Sequence, residues 1–166
     1  VWVAVRVPDD CISAHANQSR IHQFDMNDKN NCMYSPDVIS FAREKGYFDG
    51  VNKDFSFANA YAPLDFGARR YCEARVWSYF NMFTARGNEF LPYILGDTDT
   101  PMPLFVKPDR KISVQDVKNA MRDHYEGTPL DISKDFGAGP YHTPYRLSPL
   151  SFKVGDKEYF NERPIS

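Results

Sequence analysis

Residues 1–21 read VWVAVRVPDDCISAHANQSRI, and this stretch says more about the fold than any other part of the chain. Valine recurs at every second position over residues 1–7, and β-branched and aromatic side chains at this density favour a strand. Pro8 then blocks further pairing, and the two aspartates after it suit a turn. We therefore expect a strand pair within residues 1–24, a hairpin whose second strand covers residues 11–17.

The predicted second strand has two different faces, because side chains alternate along a strand. Ile12, Ala14 and Ala16 share one face, which we expect to pack against the core. The other face carries a row of small polar groups, namely Cys11, Ser13, His15 and Asn17. Such a row is unusual beside so apolar a first strand, so it is the first place to look for a functional site.

Helix signals dominate residues 35–130. Ser35, followed by Pro and Asp, predicts a helix with Ser35 as its N-cap and Gly46 at its end. A second helix is predicted over residues 67–83, with one apolar stripe formed by Cys72, Val76, Tyr79 and Phe83. Residues 86–112 show little periodicity, and we interpret them as a long ordered loop.

A third helix begins at Ser113, where Asp116 completes a short capping box. Its predicted buried stripe consists of Val114, Val117, Met121 and Tyr125. Residues 136–166 combine a Gly/Pro-rich loop over 136–145 with a terminal hairpin, whose strands cover 150–154 and 157–160 around a Gly-Asp turn. No internal repeat or shift in composition marks a second domain, so the pattern predicts one α+β domain over residues 1–166.

The bulk composition excludes several classes of partner. The 166 residues carry a net charge of −2 with both signs interspersed, so we expect neither nucleic acid nor an anionic membrane as a partner. The longest apolar runs are too short to cross a bilayer. An odd number of cysteines argues against a disulfide framework, and we expect three free thiols packed as small apolar groups.

Residue spacing alone does not supply a complete catalytic site. Ser13 and His15 share a strand face, but residues two apart in a strand lie roughly 6.6 Å apart, too far for a nucleophile–base hydrogen bond. The four histidines are scattered without the spacing of a metal site. Asn17 differs, because its side-chain amide could donate to a developing oxyanion, which is worth roughly 3–4 kcal/mol. A structural hydrogen bond to the backbone is the alternative, and spacing leaves both open.

Four segments resemble one known family. They are WVAVRVPDD at residues 2–10, SAHANQSRI at 13–21, HYEGTPLDISKDFGAGPYHTPYR at 124–146 and NERPIS at 161–166. These segments are similar, in the same order, to the cysteine dipeptidases of the N-terminal-nucleophile (Ntn) hydrolases, which include dipeptidase A and are related to the secernins. The resemblance implies an αββα sandwich of two antiparallel sheets between helical layers, hydrolysis of dipeptides, and no metal or organic cofactor.

The same resemblance implies roles for single residues. The family's nucleophile is a cysteine exposed as the first residue of the mature enzyme, whose own α-amine is the general base. This sequence starts with Val1, and Cys11 lies in a segment that matches the family's interior, so we expect an internal fragment that lacks the nucleophile and is inactive alone. Asn17 is implied as an oxyanion donor and Arg20 as a ligand for a substrate carboxylate, because guanidinium pairs bidentately with carboxylates.

Two alternatives stay open. A non-catalytic peptide- or carbohydrate-binding module would also explain the aromatic-rich loops and the incomplete site. If the chain is part of a dipeptidase, as the resemblance implies, its partner is the dipeptide substrate that the intact enzyme binds. Exposed sheet edges could also pair copies of the chain into a homo-oligomer. The sequence assigns no role to Cys11, His15 or His142.

Overall fold

The computed structural model describes residues 1–134, 136–142 and 150–161. Within these ranges the chain alternates short helices with two antiparallel strand pairs, which is an α+β arrangement. The strands are β1 (Val3–Val5), β2 (Cys32–Tyr34), β3 (Leu150–Val154) and β4 (Lys157–Asn161). The α-helices are α1 (Val38–Glu44), α2 (Phe57–Tyr61), α3 (Phe66–Ala68), α4 (Ala74–Phe83), α5 (Leu91–Leu95) and α6 (Val114–Ala120). The 3₁₀ turns are Asn52–Asp54, Ala85–Phe90 and Phe136–Tyr141, and a π turn covers Arg69–Glu73.

The first strand pairs with a partner that the sequence did not indicate. β1 and β2 run antiparallel, with Val3 opposite Tyr34. The hairpin predicted within residues 1–24 is therefore wrong. The turn after Pro8 does form, but it sends the chain away from β1, and Ile12 instead makes an isolated bridge with Val106. Alternation along a strand determines which face is buried, whereas the pairing partner is chosen by distant residues.

Ser35 has a different role from the one predicted. It was expected to cap α1, but the residue at the N-cap is Asp37, which makes no side-chain capping bond. The Ser35 hydroxyl accepts a hydrogen bond from the Trp2 backbone N–H at 3.2 Å, and the Ser35 N–H donates to the Trp2 carbonyl at 3.0 Å. Ser35 thus closes the end of the β1–β2 pair. Gly46 follows the helix with φ of 71°, as predicted for its end.

The helix predicted over residues 67–83 is confirmed, with one irregularity. α3 and α4 join through the π turn over Arg69–Glu73. A π turn adds a residue and rotates the face that follows it. The predicted stripe is consequently only half right, because Val76 and Phe83 are buried while Cys72 and Tyr79 are partly exposed. The residues that α4 buries are Ala74, Val76, Trp77, Ser78, Phe80 and Phe83.

Part of the stretch interpreted as a long loop is helical. The 3₁₀ turn Ala85–Phe90 leads directly into α5, and Tyr93 and Ile94 of α5 are buried. These elements are too short to produce a periodic signal in the sequence. They belong to the larger of two cores, whose buried members are Ala74, Val76, Trp77, Phe80, Tyr93, Ile94, Met102, Val106, Tyr125, Leu130 and Ile132. A smaller core gathers Val38, Ile39, Ala42 and Phe55.

The predicted capping box of α6 is confirmed, but its predicted buried stripe is not. Ser113 and Asp116 cap each other's backbone N–H groups. Val114, Val117 and Met121 are 74%, 38% and 80% exposed, whereas Tyr125 is 1% exposed. The reason is that α6 ends at Ala120, so Tyr125 packs from the loop beyond it and the helix leaves its apolar face outward.

The terminal hairpin is confirmed. β3 and β4 pair antiparallel around a turn in which Gly155 has φ of 61°, a conformation that glycine adopts without strain. The loop predicted over residues 136–145 contains the 3₁₀ turn Phe136–Tyr141, and its residues 143–145 lie outside the described residues.

The described strands form two separate two-stranded sheets, so the α+β class is confirmed and the four-layer sandwich is not. Across the described residues, no helix has the length and apolar character needed to cross a membrane.

Gly87 offers a test of the packing between α4 and the turn that follows it. The Trp77 indole N–H donates to the Gly87 carbonyl at 2.9 Å, and a Cβ at Gly87 would lie 2.3 Å from the Asn81 Cα atom. We expect Gly87→Ala to lower the free energy of unfolding by about 1–3 kcal/mol, because the backbone must shift. Denaturant unfolding checks this, with the exposed Glu89→Ala as control, and equal stability of the two variants would contradict the close approach.

Candidate functional site

A groove of about 580 Å³ runs beside residues 13–17 and contains most of the predicted polar row. Ser13, His15 and Asn17 all line it. The opposite wall comes from α4, from α6 and from the loop after α6. The remaining lining residues are Ala14, Ala16, Arg75, Val76, Ser78, Tyr79, Val117, Ala120, Met121, Asp123 and Tyr125. The groove therefore brings together residues that are more than a hundred positions apart.

The segment that carries the polar row is anchored from both faces. Ile12 and Val106 exchange backbone hydrogen bonds of 2.8 and 3.0 Å, and the Ser13 hydroxyl donates to the Leu104 carbonyl at 2.9 Å. Ile12, Ala14 and Ala16 pack against the larger core, which confirms the predicted packing face. The Ser13 hydroxyl is thus occupied by the backbone.

Asn17 stands at the end of this segment, exposed, with φ of 58°. Asparagine is among the residues that adopt this left-handed conformation most readily. Its Oδ1 atom accepts a hydrogen bond of 2.9 Å from Nη2 of Arg75. Because a guanidinium group only donates, this contact determines the orientation of the carboxamide. Nδ2 of Asn17 has no hydrogen-bond partner in the described part of the chain, so it is a donor at the groove.

Arg75 is a site residue that the sequence did not single out. It lies at the start of α4, half-buried, and its Nε donates to the Tyr71 carbonyl at 2.9 Å. That second bond holds the guanidinium in position against Asn17. No local pattern could have indicated Arg75, because its partner lies 58 residues earlier in the chain.

Arg20 lies away from the groove, inside the protein. Its Nε is 3.0 Å from the buried carboxylate of Glu73, and the guanidinium lies 5.4 Å from the centre of the Phe80 ring. Its remaining nitrogens donate to the carbonyls of Ala14, Met102 and Pro103. Since this guanidinium is engaged within the chain, its position favours a structural role over the substrate-carboxylate role that the resemblance implies.

The far wall of the groove combines a carboxylate with apolar groups. The hydroxyl of Ser78, on α4, donates to Oδ2 of Asp123, which is half-buried. Tyr125 also lines the groove, is buried and has φ of 65°. Burial raises the pKa of its hydroxyl well above the usual value. Val117 and Met121 bring apolar surface to the rim.

The histidines take different places. His15 is exposed at the groove, and its pKa is lowered by desolvation and by the positive charge of Arg20. A neutral imidazole is therefore the form favoured there at neutral pH. His142 is not among the groove residues, and its Nδ1 lies 3.1 Å from the Ser133 carbonyl oxygen. Among the described residues no group of three or more His, Cys, Asp or Glu side chains is arranged to hold a metal ion.

Comparison with known proteins places this sequence in a family. The sequence matches Peptidase family C69 over residues 1–160. The chain belongs to peptidase family C69. A "Probable dipeptidase" of Salmonella dublin is 39% identical over 130 residues, which cover 78% of this chain and 29% of that protein. A "Probable dipeptidase" of Latilactobacillus sakei is 30% identical over 154 residues, which cover 90% of this chain and 30% of that protein.

A third relative in the same comparison is "Dipeptidase A" of Lactobacillus helveticus, 26% identical over 138 residues, which cover 82% of this chain and 27% of that protein. This C69 chain therefore spans about three tenths of the length of these relatives. The three alignments cover 78%, 90% and 82% of this chain and the family match covers residues 1–160, so the family assignment does not depend on one short motif.

The three cysteines of this C69 chain are free, as predicted. Desolvation and the neighbouring Asp10 raise the pKa of the Cys11 thiol, whose sulfur lies 3.5 Å from an Asp10 carboxylate oxygen. Cys32 is buried, and desolvation raises its pKa as well. Cys72 belongs to the π turn. None of the three lines the groove. A thiolate is the reactive form of cysteine, and the environments of Cys11 and Cys32 favour the thiol.

The buried Arg20–Glu73 pair yields a stability prediction. We expect Glu73→Gln to lower the free energy of unfolding by about 3–5 kcal/mol, because it leaves the Arg20 charge buried without a counter-charge. In a double-mutant cycle of the unmodified protein, Arg20→Met, Glu73→Leu and the double variant, the double variant should lose less stability than the sum of the two single losses, because neither charge remains. Denaturant unfolding of the four proteins measures this coupling, and strictly additive losses would contradict the pairing.

Proposed function

We propose that this chain is part of a dipeptidase and that the groove beside Asn17 is one wall of its active site. Membership of peptidase family C69 and the names of its relatives support the reaction class. The observation that carries the placement is the carboxamide of Asn17, which Arg75 holds with its donor side available at the groove. A dipeptide bound there would present its amide carbonyl to this donor.

The proposed reaction is acyl transfer to a cysteine followed by hydrolysis. A thiolate attacks the amide carbonyl, and negative charge develops on the carbonyl oxygen in the tetrahedral intermediate. Nδ2 of Asn17 donates to this oxyanion. The guanidinium of Arg75, bonded to Oδ1, polarises the same amide and strengthens its N–H donor. Collapse of the intermediate breaks the C–N bond, the departing amine of the second residue takes the proton that the general base removed from the thiol, and water then hydrolyses the thioester to release the first residue and the free thiol.

The nucleophile in this proposal is a cysteine other than Cys11, Cys32 and Cys72. The raised pKa values of the Cys11 and Cys32 thiols and the positions of all three away from the groove support this assignment. The resemblance to the Ntn hydrolases supplies the expected alternative, a cysteine whose own α-amine is the general base.

The αββα sandwich is proposed for the intact protein on physical grounds as well as on resemblance. β1 and β2 pair over three residues, and each described sheet has two strands. A two-stranded sheet is marginally stable alone, and each of its strands has an unpaired edge. Additional strands that pair with β1 or β2 would convert this ribbon into one layer of the sandwich.

Asn17 is tested most cleanly by Asn17→Gly in the intact dipeptidase. Glycine accepts φ of 58° without strain, so the change removes the amide donor while the backbone keeps its conformation. We expect kcat to fall about 10²–10³-fold with KM changed far less, because the donor acts mainly on the oxyanion. Steady-state kinetics measure both constants. Asn17→Asp, which keeps the shape and removes the donor, should match it, and a kcat close to that of the unmodified enzyme in either variant would contradict the role.

The exclusion of the chain's own cysteines is tested separately. We expect purified residues 1–166 to hydrolyse no dipeptide, and we expect Cys11→Ser in the intact protein to retain its activity, because the Cys11 environment favours the thiol. Amine release from a dipeptide measures both. Turnover by residues 1–166 that Cys11→Ser abolishes would overturn the proposal. Dipeptide binding by the intact protein without turnover would favour a binding module instead.

A further inference from the structure

The groove contains a carboxylate that the proposed reaction does not use. We propose that Asp123, held by Ser78, binds the α-ammonium group of the substrate and so selects dipeptides with a free N-terminus. This inference rests on the proposed dipeptidase function and assigns a specificity residue to it. Asp123 is the one carboxylate among the described residues that line the groove.

Within the described part of the chain, the carboxylate of Asp123 has one oxygen that is hydrogen-bonded and one that is not. Its Oδ2 atom accepts the hydroxyl hydrogen of Ser78, a buried residue of α4. Its Oδ1 atom has no hydrogen-bond or ion-pair partner within residues 1–134, 136–142 and 150–161. Because Ser78 holds one oxygen and the residue lines the groove, the second oxygen is available to accept from a cation that enters.

The distribution of charge in the groove suits a zwitterion. The guanidinium of Arg75 reaches from α4 to Asn17, and His15 lies two residues before Asn17, whereas Asp123 is held on the α4 side of the groove by Ser78. A dipeptide carries an ammonium group at one end and a carboxylate at the other. With the scissile amide near Asn17, the ammonium group would point toward Asp123, where opposite charges attract in a partly desolvated site.

The apolar rim fits the same substrate. Val117 and Met121 are exposed on the α6 side of the groove and provide non-directional contact for a substrate side chain. Methionine adapts to differently shaped partners because it is unbranched and flexible. The site would thus be strict toward the charge of the N-terminus and tolerant of the side chain beside it.

The competing interpretation is that Asp123 only ties the loop after α6 to α4 through Ser78. Two variants separate the roles. Asp123→Asn removes the charge and keeps an oxygen that accepts from Ser78, whereas Ser78→Ala removes the tie and keeps the charge. If the role is purely structural, Ser78→Ala should be at least as damaging as Asp123→Asn.

The experiment uses the intact dipeptidase, with alanyl-alanine and its N-acetyl derivative as substrates. We expect Asp123→Asn to raise KM for alanyl-alanine about tenfold or more, with kcat changed less than about threefold, because a charge-assisted contact made in the bound substrate is lost. Ser78→Ala should raise KM less. The preference of the enzyme for the free over the acetylated substrate should shrink by about the same factor in Asp123→Asn.

The outcomes that overturn the inference are distinct from those that overturn the function. An unchanged KM and an unchanged preference in Asp123→Asn, together with dipeptide turnover by the unmodified enzyme, would overturn the role of Asp123 alone. If the unmodified enzyme bound both substrates with equal KM, the role would fall without any variant, even if Asp123→Asn failed to fold. If the unmodified enzyme hydrolysed no dipeptide, the proposed function and this inference would both be overturned.

Discussion

The buried ion pair between Arg20 and Glu73 is the constraint on which the rest of this structure depends. Burying two charges is costly unless they pair and their remaining polar groups find partners. Arg20 meets this requirement through Glu73 and through the carbonyls of residues 14, 102 and 103. The pair therefore joins three parts of the chain, namely residues 14–20, the π turn that ends at Glu73 and residues 102–103, which lead to Val106.

The position of the groove follows from that pair. Asn17 lies three residues before Arg20, and Arg75 lies two residues after Glu73, so joining the inner residues brings the outer two within hydrogen-bond distance. The π turn is part of the same arrangement, because it ends at Glu73 and sets the direction in which α4 continues. Such turns occur frequently at functional sites. The alignment of residues 17–20 with residues 73–75 thus produces both the buried Arg20–Glu73 pair and the oriented carboxamide of Asn17 at the surface.

Features that depend on neighbours in sequence were predictable. The capping box at Ser113, the helix end at Gly46 and the turn at Gly155 all form as the residue types indicated, because each is decided within a few positions. Features that need a partner distant in sequence were not predictable. β1 pairs with β2 across a gap that no pattern marks, and Ser35 is used by Trp2 before it can cap α1. The apolar stripe of α6 was assigned to the core because periodicity shows that a helix has an apolar face, and it does not show what that face meets.

The sequence by itself determined the local elements, the packing face of residues 12–16 and the likeness to a dipeptidase family, and it marked Asn17 as the residue of chemical interest. The tertiary structure decided which arginine stands beside it. Arg20, near Asn17 in sequence, is drawn inside by a carboxylate 53 residues away, and Arg75, 58 residues from Asn17, takes the place at the groove. The physical reason is that the cost of burying a charge depends on partners assembled from the whole chain, and no local pattern records where those partners lie.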